Sequence, residues 1–200
     1  MTGVRRRAFA RMYDLLGPTL TRATMGQRAL LLQGLAGRVL EVGCGPGNNF
    51  PLYPAGLEVV ATDVSEPMLE RARRAARAAR ASITVEQADV ESLPFADASF
   101  DAVVGAWVLC SVDQPRALRE LRRVLRPGGT LRLWEHVRSE RAVLVALQRA
   151  ATPAWSVVAD GCHLDRDTVG AVREAGFELE RADREGAKVA HVLIVARRPG

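Results

Sequence analysis

At 200 residues, 48% hydrophobic and 26% charged, the chain is sized for one globular domain and excludes disordered or fibrous classes. The net charge of +5 and sequence pI near 9.8 do not by themselves imply a nucleic-acid partner. Arginine, alanine, leucine and valine crowd out lysine and isoleucine, as GC-rich coding bias would produce. Three cysteines (Cys44, Cys110, Cys162) without a C-x-x-C spacing exclude a disulfide framework or zinc knuckle. With no apolar leader or bilayer-length run, they point to a cytoplasmic protein.

In chain order, the periodicity predicts helices over 4–15 and 20–34, then a strand at 38–42 feeding the turn "GCGPG". A strand at 57–62 and a helix at 66–80 follow, the helix placing Met68, Leu69, Ala72, Ala75, Ala76 and Ala79 on one face. Next come strands at 83–87 and 100–104, a helix at 114–126 and, after the breaker "RPGG", a strand at 129–136. A helix at 140–151, an insertion at 152–166, a helix at 166–174 and strands at 177–182 and 188–196 complete the chain. Strands alternating with helices predict an α/β fold: a Rossmann-like seven-stranded sheet, mostly parallel, with helices on both faces. The last two strands read as a hairpin, so the last would run antiparallel, at the sheet edge. The expected organisation is a single domain, with N-terminal lid helices in 1–36, a cofactor-binding core in 37–136, and a lid insertion with closing strands in 137–200.

The glycine turn carries the chemistry. Glycines at 43, 45 and 47 give G-x-G-x-G, not the G-x-G-x-x-G of a dinucleotide site, and Pro46 removes an N–H from any phosphate cradle. No G-K-[ST] follows, which excludes a nucleoside-triphosphate loop. The turn better suits a nucleoside whose other end is an amino acid. Asp63, ending the next strand, is placed to accept both ribose hydroxyls. Asp89 is placed to accept from an adenine amino group. Glu41, inside the feeding strand, can hold a ligand ammonium directly or through water.

"VLEVGCGPG", "VVATD", "ADVESLPF", "SFDAVVGAWVL" and "LRELRRVLRPGGTLRLWEH" resemble, in order and spacing, the motifs of class I S-adenosylmethionine-dependent methyltransferases. "WVLCSV", "EHV" and "PAW" followed by "DGCHLDRDT" resemble more narrowly the mammalian membrane-anchored alkyl-thiol methyltransferases and their bacterial relatives, without the hydrophobic anchor of the former. "RMYDLL" (11–16) is similar to the lid helix of quinone-biosynthesis C-methyltransferases.

The resemblance implies S-adenosyl-L-methionine as cofactor, held by Glu41, Gly43, Gly45, Gly47, Asp63, Val64, Met68, Asp89, Val90 and Trp107. It implies direct methyl displacement onto a small, apolar acceptor such as a thiol, quinone-like ring or lipid. His136 is the candidate base, with Tyr13 beside it and Asp160 and His163 as further acceptor-pocket candidates. Asp160, Cys162, His163, Asp165 and Asp167 match no calcium or zinc spacing, so no metal is expected. Two other functions remain open: an RNA methyltransferase, and a catalytically silent adenosyl-binding partner protein. The fourth strand ends without an N-P-P-[YFW] motif and no recognition domain is appended, so a small molecule is favoured over nucleic acid. Arg5, Arg6, Arg7 and Arg11 are the candidates for contact with an acidic partner or an anionic membrane.

Overall fold

The computed structural model describes residues 21–159, 161–185 and 190–200, together with Tyr13, Gly17 and Thr19. The helix expected over 4–15, apart from Tyr13, the arginines at 5, 6, 7 and 11, and Asp160 lie outside the described residues.

Seven strands form one sheet: β1 (Arg38–Val42), β2 (Glu58–Asp63), β3 (Ser82–Gln87), β4 (Phe100–Ala106), β5 (Leu125–His136), β6 (Glu178–Glu185) and β7 (His191–Arg197). Their spatial order is β3-β2-β1-β4-β5-β7-β6. β1 to β5 pair in parallel, and β7 runs antiparallel to both neighbours. The last strand is therefore antiparallel as expected, but it is not the edge. It slides between β5 and β6, because its alternating Val192, Leu193 and Ile194 are buried on both faces while β6 is largely charged.

The two faces of the sheet carry separate apolar layers. Leu40, Val42, Val103, Leu131 and Ile194 pack under α3 (Gln114–Val124) and α5 (Thr168–Glu174). Val39, Val59, Ala61, Val104 and Trp134 pack under α1 (Met25–Leu32) and α2 (Glu66–Ala76). This is strand alternation made visible, since successive residues of β1 enter opposite layers. Met68, Leu69 and Ala72 form the buried stripe of α2, as its spacing predicts. The helix stops at Ala76, short of the predicted Arg80.

Two segments depart from the sequence reading. β5 starts at Leu125, so "RPGG" enters the strand rather than a turn, with a register shift opposite Phe100–Ala102. The helix predicted to end at 151 continues as α4 (Ala142–Val158), through Pro153. Proline cannot donate to the carbonyl four residues back. Around it two hydroxyls bond backbone carbonyls: Thr152 Oγ1 donates to Gln148 O (2.8 Å) and Ser156 Oγ to Pro153 O (3.0 Å). Val143, Leu147, Trp155 and Val158 leave an exposed apolar face on this helix. No helix among the described residues is long and apolar enough to cross a membrane.

Candidate active site

The chain winds outward from β1 to β3, then returns to start β4 on β1's other side. Open α/β sheets bind ligands at such a switch point, outside the carboxyl ends of the strands. There β1 delivers the glycine turn, β2 delivers Asp63, β4 delivers Trp107 and β5 delivers Glu135 and His136.

All three turn glycines have positive φ: 60° at Gly43, 54° at Gly45 and 86° at Gly47. A Cβ at Gly43 would strike Val108, and one at Gly47 would strike Phe50. A Cβ at Gly45 would meet nothing within 4 Å among the described residues, so this glycine bares its backbone toward the cleft. The Gly45 N–H donates to Asp63 Oδ2 (2.9 Å) and the Ser65 N–H to Asp63 Oδ1 (2.8 Å). A carboxylate oxygen can accept more than one hydrogen bond, so this residue type at this place suits the hydroxyls of a sugar. Gly45→Ala is expected to fold at a cost of about 1–2 kcal/mol for the left-handed backbone. Its methyl would also intrude on the ligand, so the loss in cofactor affinity should exceed the loss in thermal stability; calorimetry beside a melting curve checks this.

Glu41 lies beneath the turn, fully buried. Its Oε1 accepts from Asn49 Nδ2 (2.8 Å) and its Oε2 from the Tyr53 hydroxyl (2.9 Å), while Arg28 donates to Asn49 Oδ1 (2.8 Å). The carboxylate thus anchors the far end of the turn, and a ligand ammonium could share only its remaining lone pairs. Burial pushes the Glu41 carboxyl up to about 7, against the bonds from Tyr53 and Asn49 and the nearby Arg28. A group raised in the folded chain holds a proton that the unfolded chain releases near the usual 4.5. Its contribution to stability is therefore present below 4.5 and lost as pH rises through 7. Urea midpoints at pH 5 and pH 7.5 should differ less in Glu41→Gln than in the wild type.

Asn48 Nδ2 donates to the Tyr13 hydroxyl, which brings Tyr13 over the turn. Val64 is exposed and Met68 is buried in the core. Asp89 is exposed and closes an Asx turn by accepting from the Glu91 N–H (2.9 Å), beside the buried Val90.

Trp107 has a φ of 59°, a strained conformation for a bulky residue, fixed by its N–H donating to Trp134 O (2.8 Å). Its ring lies parallel to His136 (centroids 5.3 Å apart, 6° between planes) and tilted on Trp134 (4.6 Å). The Arg28 guanidinium sits 5.6 Å from the Trp107 centroid, so the ring already faces a protein cation. The Trp107 and Trp134 indole N–H groups are buried and find no hydrogen-bond partner among the described residues.

Sequence reasoning missed the role of Glu135. Fully buried, it accepts from the N–H groups of Val108 (2.9 Å), Leu109 (3.1 Å) and Cys110 (3.2 Å), clamping the 3₁₀ turn after β4. Burial raises its carboxyl to about 7 against those three bonds. An acid inside an apolar strand was the available signal. The Nδ1 of His136, its neighbour, lies 3.6 Å from Cys162 Sγ. The Cys110 hydrogen bond, then His136 and Trp155, hold the Cys162 thiol below its usual range despite burial, and Cys110 is raised in turn. The His163 N–H donates to Cys110 O (2.9 Å), tying this loop to the clamped turn.

Sheet order, glycine turn and acidic strand end together define an open α/β domain whose cleft suits a nucleoside. A family profile described as "Methyltransferase domain" matches residues 40–133. The chain is 36% identical over 199 residues to human thiol S-methyltransferase TMT1A, covering 97% of this chain and 75% of that one. It is 40% identical over 154 residues to thiol S-methyltransferase TMT1B of Rattus norvegicus, covering 73% of this chain and 63% of that one. It thus spans less than two thirds of the rat relative's length. Among solved structures, the cyclase SpnF superposes with a TM-score of 0.74 at 20% identity, covering 98% of this chain and 97% of that one, a likeness of fold alone. The chain belongs to the class I S-adenosylmethionine-dependent methyltransferases, whose cofactor is S-adenosylmethionine.

Proposed function

We propose that the protein transfers a methyl group from S-adenosylmethionine to a small apolar acceptor, with an alkyl thiol as the first candidate. The observation that carries the reading is the open face of Gly45, locked to the Asp63 carboxylate, which fits a ribose and its attached amino acid. In this reading Gly45 lends bare backbone, Asp63 takes the ribose hydroxyls, and Asp89 with Val64 and Val90 borders the adenine. The cofactor supplies a methyl group on a cationic sulfur, electrophilic without any covalent intermediate on the enzyme. The chain's own work is to align and to exclude water. Glu135 fixes residues 108–110 at the mouth, Tyr13 closes over the turn, and the apolar face of α4 suits an apolar acceptor.

The likeness to human TMT1A, a thiol S-methyltransferase, supports a thiol. Unpaired cysteines fit work in the reducing cytoplasm. The N-terminal arginines remain our candidates for peripheral contact with an anionic membrane. The test is transfer of labelled methyl from S-adenosylmethionine to 1-octanethiol, with total RNA and a lipid extract in parallel. Label on the thiol supports the reading; label on RNA alone would replace it. Cofactor binding without transfer to any of the three would favour a silent adenosyl-binding partner.

A further inference from the structure

We propose that Cys110, His136 and Cys162 form a zinc site whose open fourth corner takes the sulfur of a thiol acceptor. The second half of the proposal rests on the thiol reading above. The three residues come from separate segments, the turn after β4, the end of β5 and the loop after α4, which is why no sequence spacing announced them. Their ligand atoms all lie within 4.8 Å of one another, and among the described residues they are the group so placed. Zinc bonds of about 2.3 Å to sulfur and about 2.0–2.1 Å to nitrogen put those two atoms about 3.5–3.6 Å apart at a tetrahedral angle. Cys162 Sγ and His136 Nδ1 are 3.6 Å apart.

The donor set and its surroundings agree with this. Two cysteine sulfurs and an imidazole suit zinc rather than calcium or magnesium. The cage is also pre-set by backbone bonds. Glu135 holds the Cys110 N–H, the His163 N–H holds the Cys110 carbonyl, and His136 follows Glu135 directly in the strand. The His136 ring is further fixed against Trp107 and, at 4.5 Å, against His191. These ring contacts hold the plane of the imidazole.

Zinc with three protein ligands keeps a fourth position for water or substrate, the pattern of catalytic rather than structural sites. His136 ends β5 beside Trp107, at the same carboxyl edge as the glycine turn, so that corner lies on the acceptor side. There an incoming thiol would replace a water, form a sulfur–zinc bond, and release its S–H proton to solvent. The sulfur is left as a thiolate at neutral pH, because a coordinating thiol is deprotonated. His136 would then be a ligand and not the general base expected from the sequence.

The experiment uses the full chain, reduced and stripped by chelator, with Zn²⁺ and Co²⁺ as probes. Expected are one zinc per chain by elemental analysis, and a cobalt form showing sulfur-to-metal charge transfer and tetrahedral bands that shift on adding 1-octanethiol. Cys162→Ser should weaken zinc binding at least about tenfold while S-adenosylmethionine affinity holds, which shows the variant is folded. Should that variant misfold, the wild-type cobalt spectrum decides alone. Reduced protein that binds S-adenosylmethionine but no zinc overturns the site, as does a Cys110–Cys162 disulfide forming with no metal uptake under any reducing condition. Zinc bound with a cobalt spectrum blind to thiol overturns the open corner. Thiol methylated equally fast with chelator present sinks the zinc role and leaves the thiol reading standing. Zinc and thiol bound without methyl transfer sinks the thiol reading and leaves the site.

Discussion

Asp63→Ala should reduce S-adenosylmethionine affinity by about two to four orders of magnitude, read by calorimetry on protein whose circular dichroism matches the wild type. The carboxylate does two jobs. It joins the ends of β1 and β2 by accepting from the Gly45 and Ser65 N–H groups, and in the proposed reading it also accepts from the ribose hydroxyls. A hydrogen bond to a charged group contributes about 1.5–3 kcal/mol, so two lost to the ribose come to about 3–6 kcal/mol. Each 1.4 kcal/mol is tenfold in the dissociation constant. Asp63→Asn keeps one acceptor oxygen and should fall between the two. Unchanged affinity in the alanine variant would place the cofactor elsewhere.

Glu135→Ala is expected to be the most destabilising single change at the site. It strands the N–H groups of Val108, Leu109 and Cys110 in a fully buried place. Each unsatisfied buried donor costs about 1–3 kcal/mol, a sum of about 3–9 kcal/mol against a typical total stability of about 5–15 kcal/mol. Glu135→Gln separates the parts. Val108 and Leu109 both donate to Oε1, which an amide oxygen can replace, and only the Cys110 bond to Oε2 is lost. The glutamine variant should therefore show about a third of the alanine variant's shift in urea midpoint. Equal shifts would mean that the carboxylate's charge, not its lone-pair geometry, holds the turn.

Local signals and convergent ones were not equally legible in the sequence. The glycine turn, Asp63 and Asp89 are read from a strand followed by a turn, and each appears where that spacing puts it. β1 to β5 and the buried stripe of α2 follow from periodicity, which reports burial directly. The helix expected to end at 151 runs on through Pro153 to Val158, although the apolar residues there are exposed and no buried stripe announces it. "RPGG" misled because bulged strand and turn share the same residues. The edge position of β7 was misjudged because chain order does not fix spatial order; burial on both faces does. Cys110, His136 and Cys162 meet only through the folding of distant segments, so no short window of sequence holds that group.

The placement of β7 bears on how the chain is made. On a ribosome, β1 to β5 emerge first and can assemble the whole parallel half, cofactor cleft included. β6 emerges next with nowhere to dock, since the strand it pairs with has not been synthesised. Until β7 arrives, β5 presents a bare edge of backbone donors and acceptors to any passing strand. Nascent chains stalled before residue 191 should thus be the most aggregation-prone on the way out, and early capture of S-adenosylmethionine by the finished half would shorten that hazard.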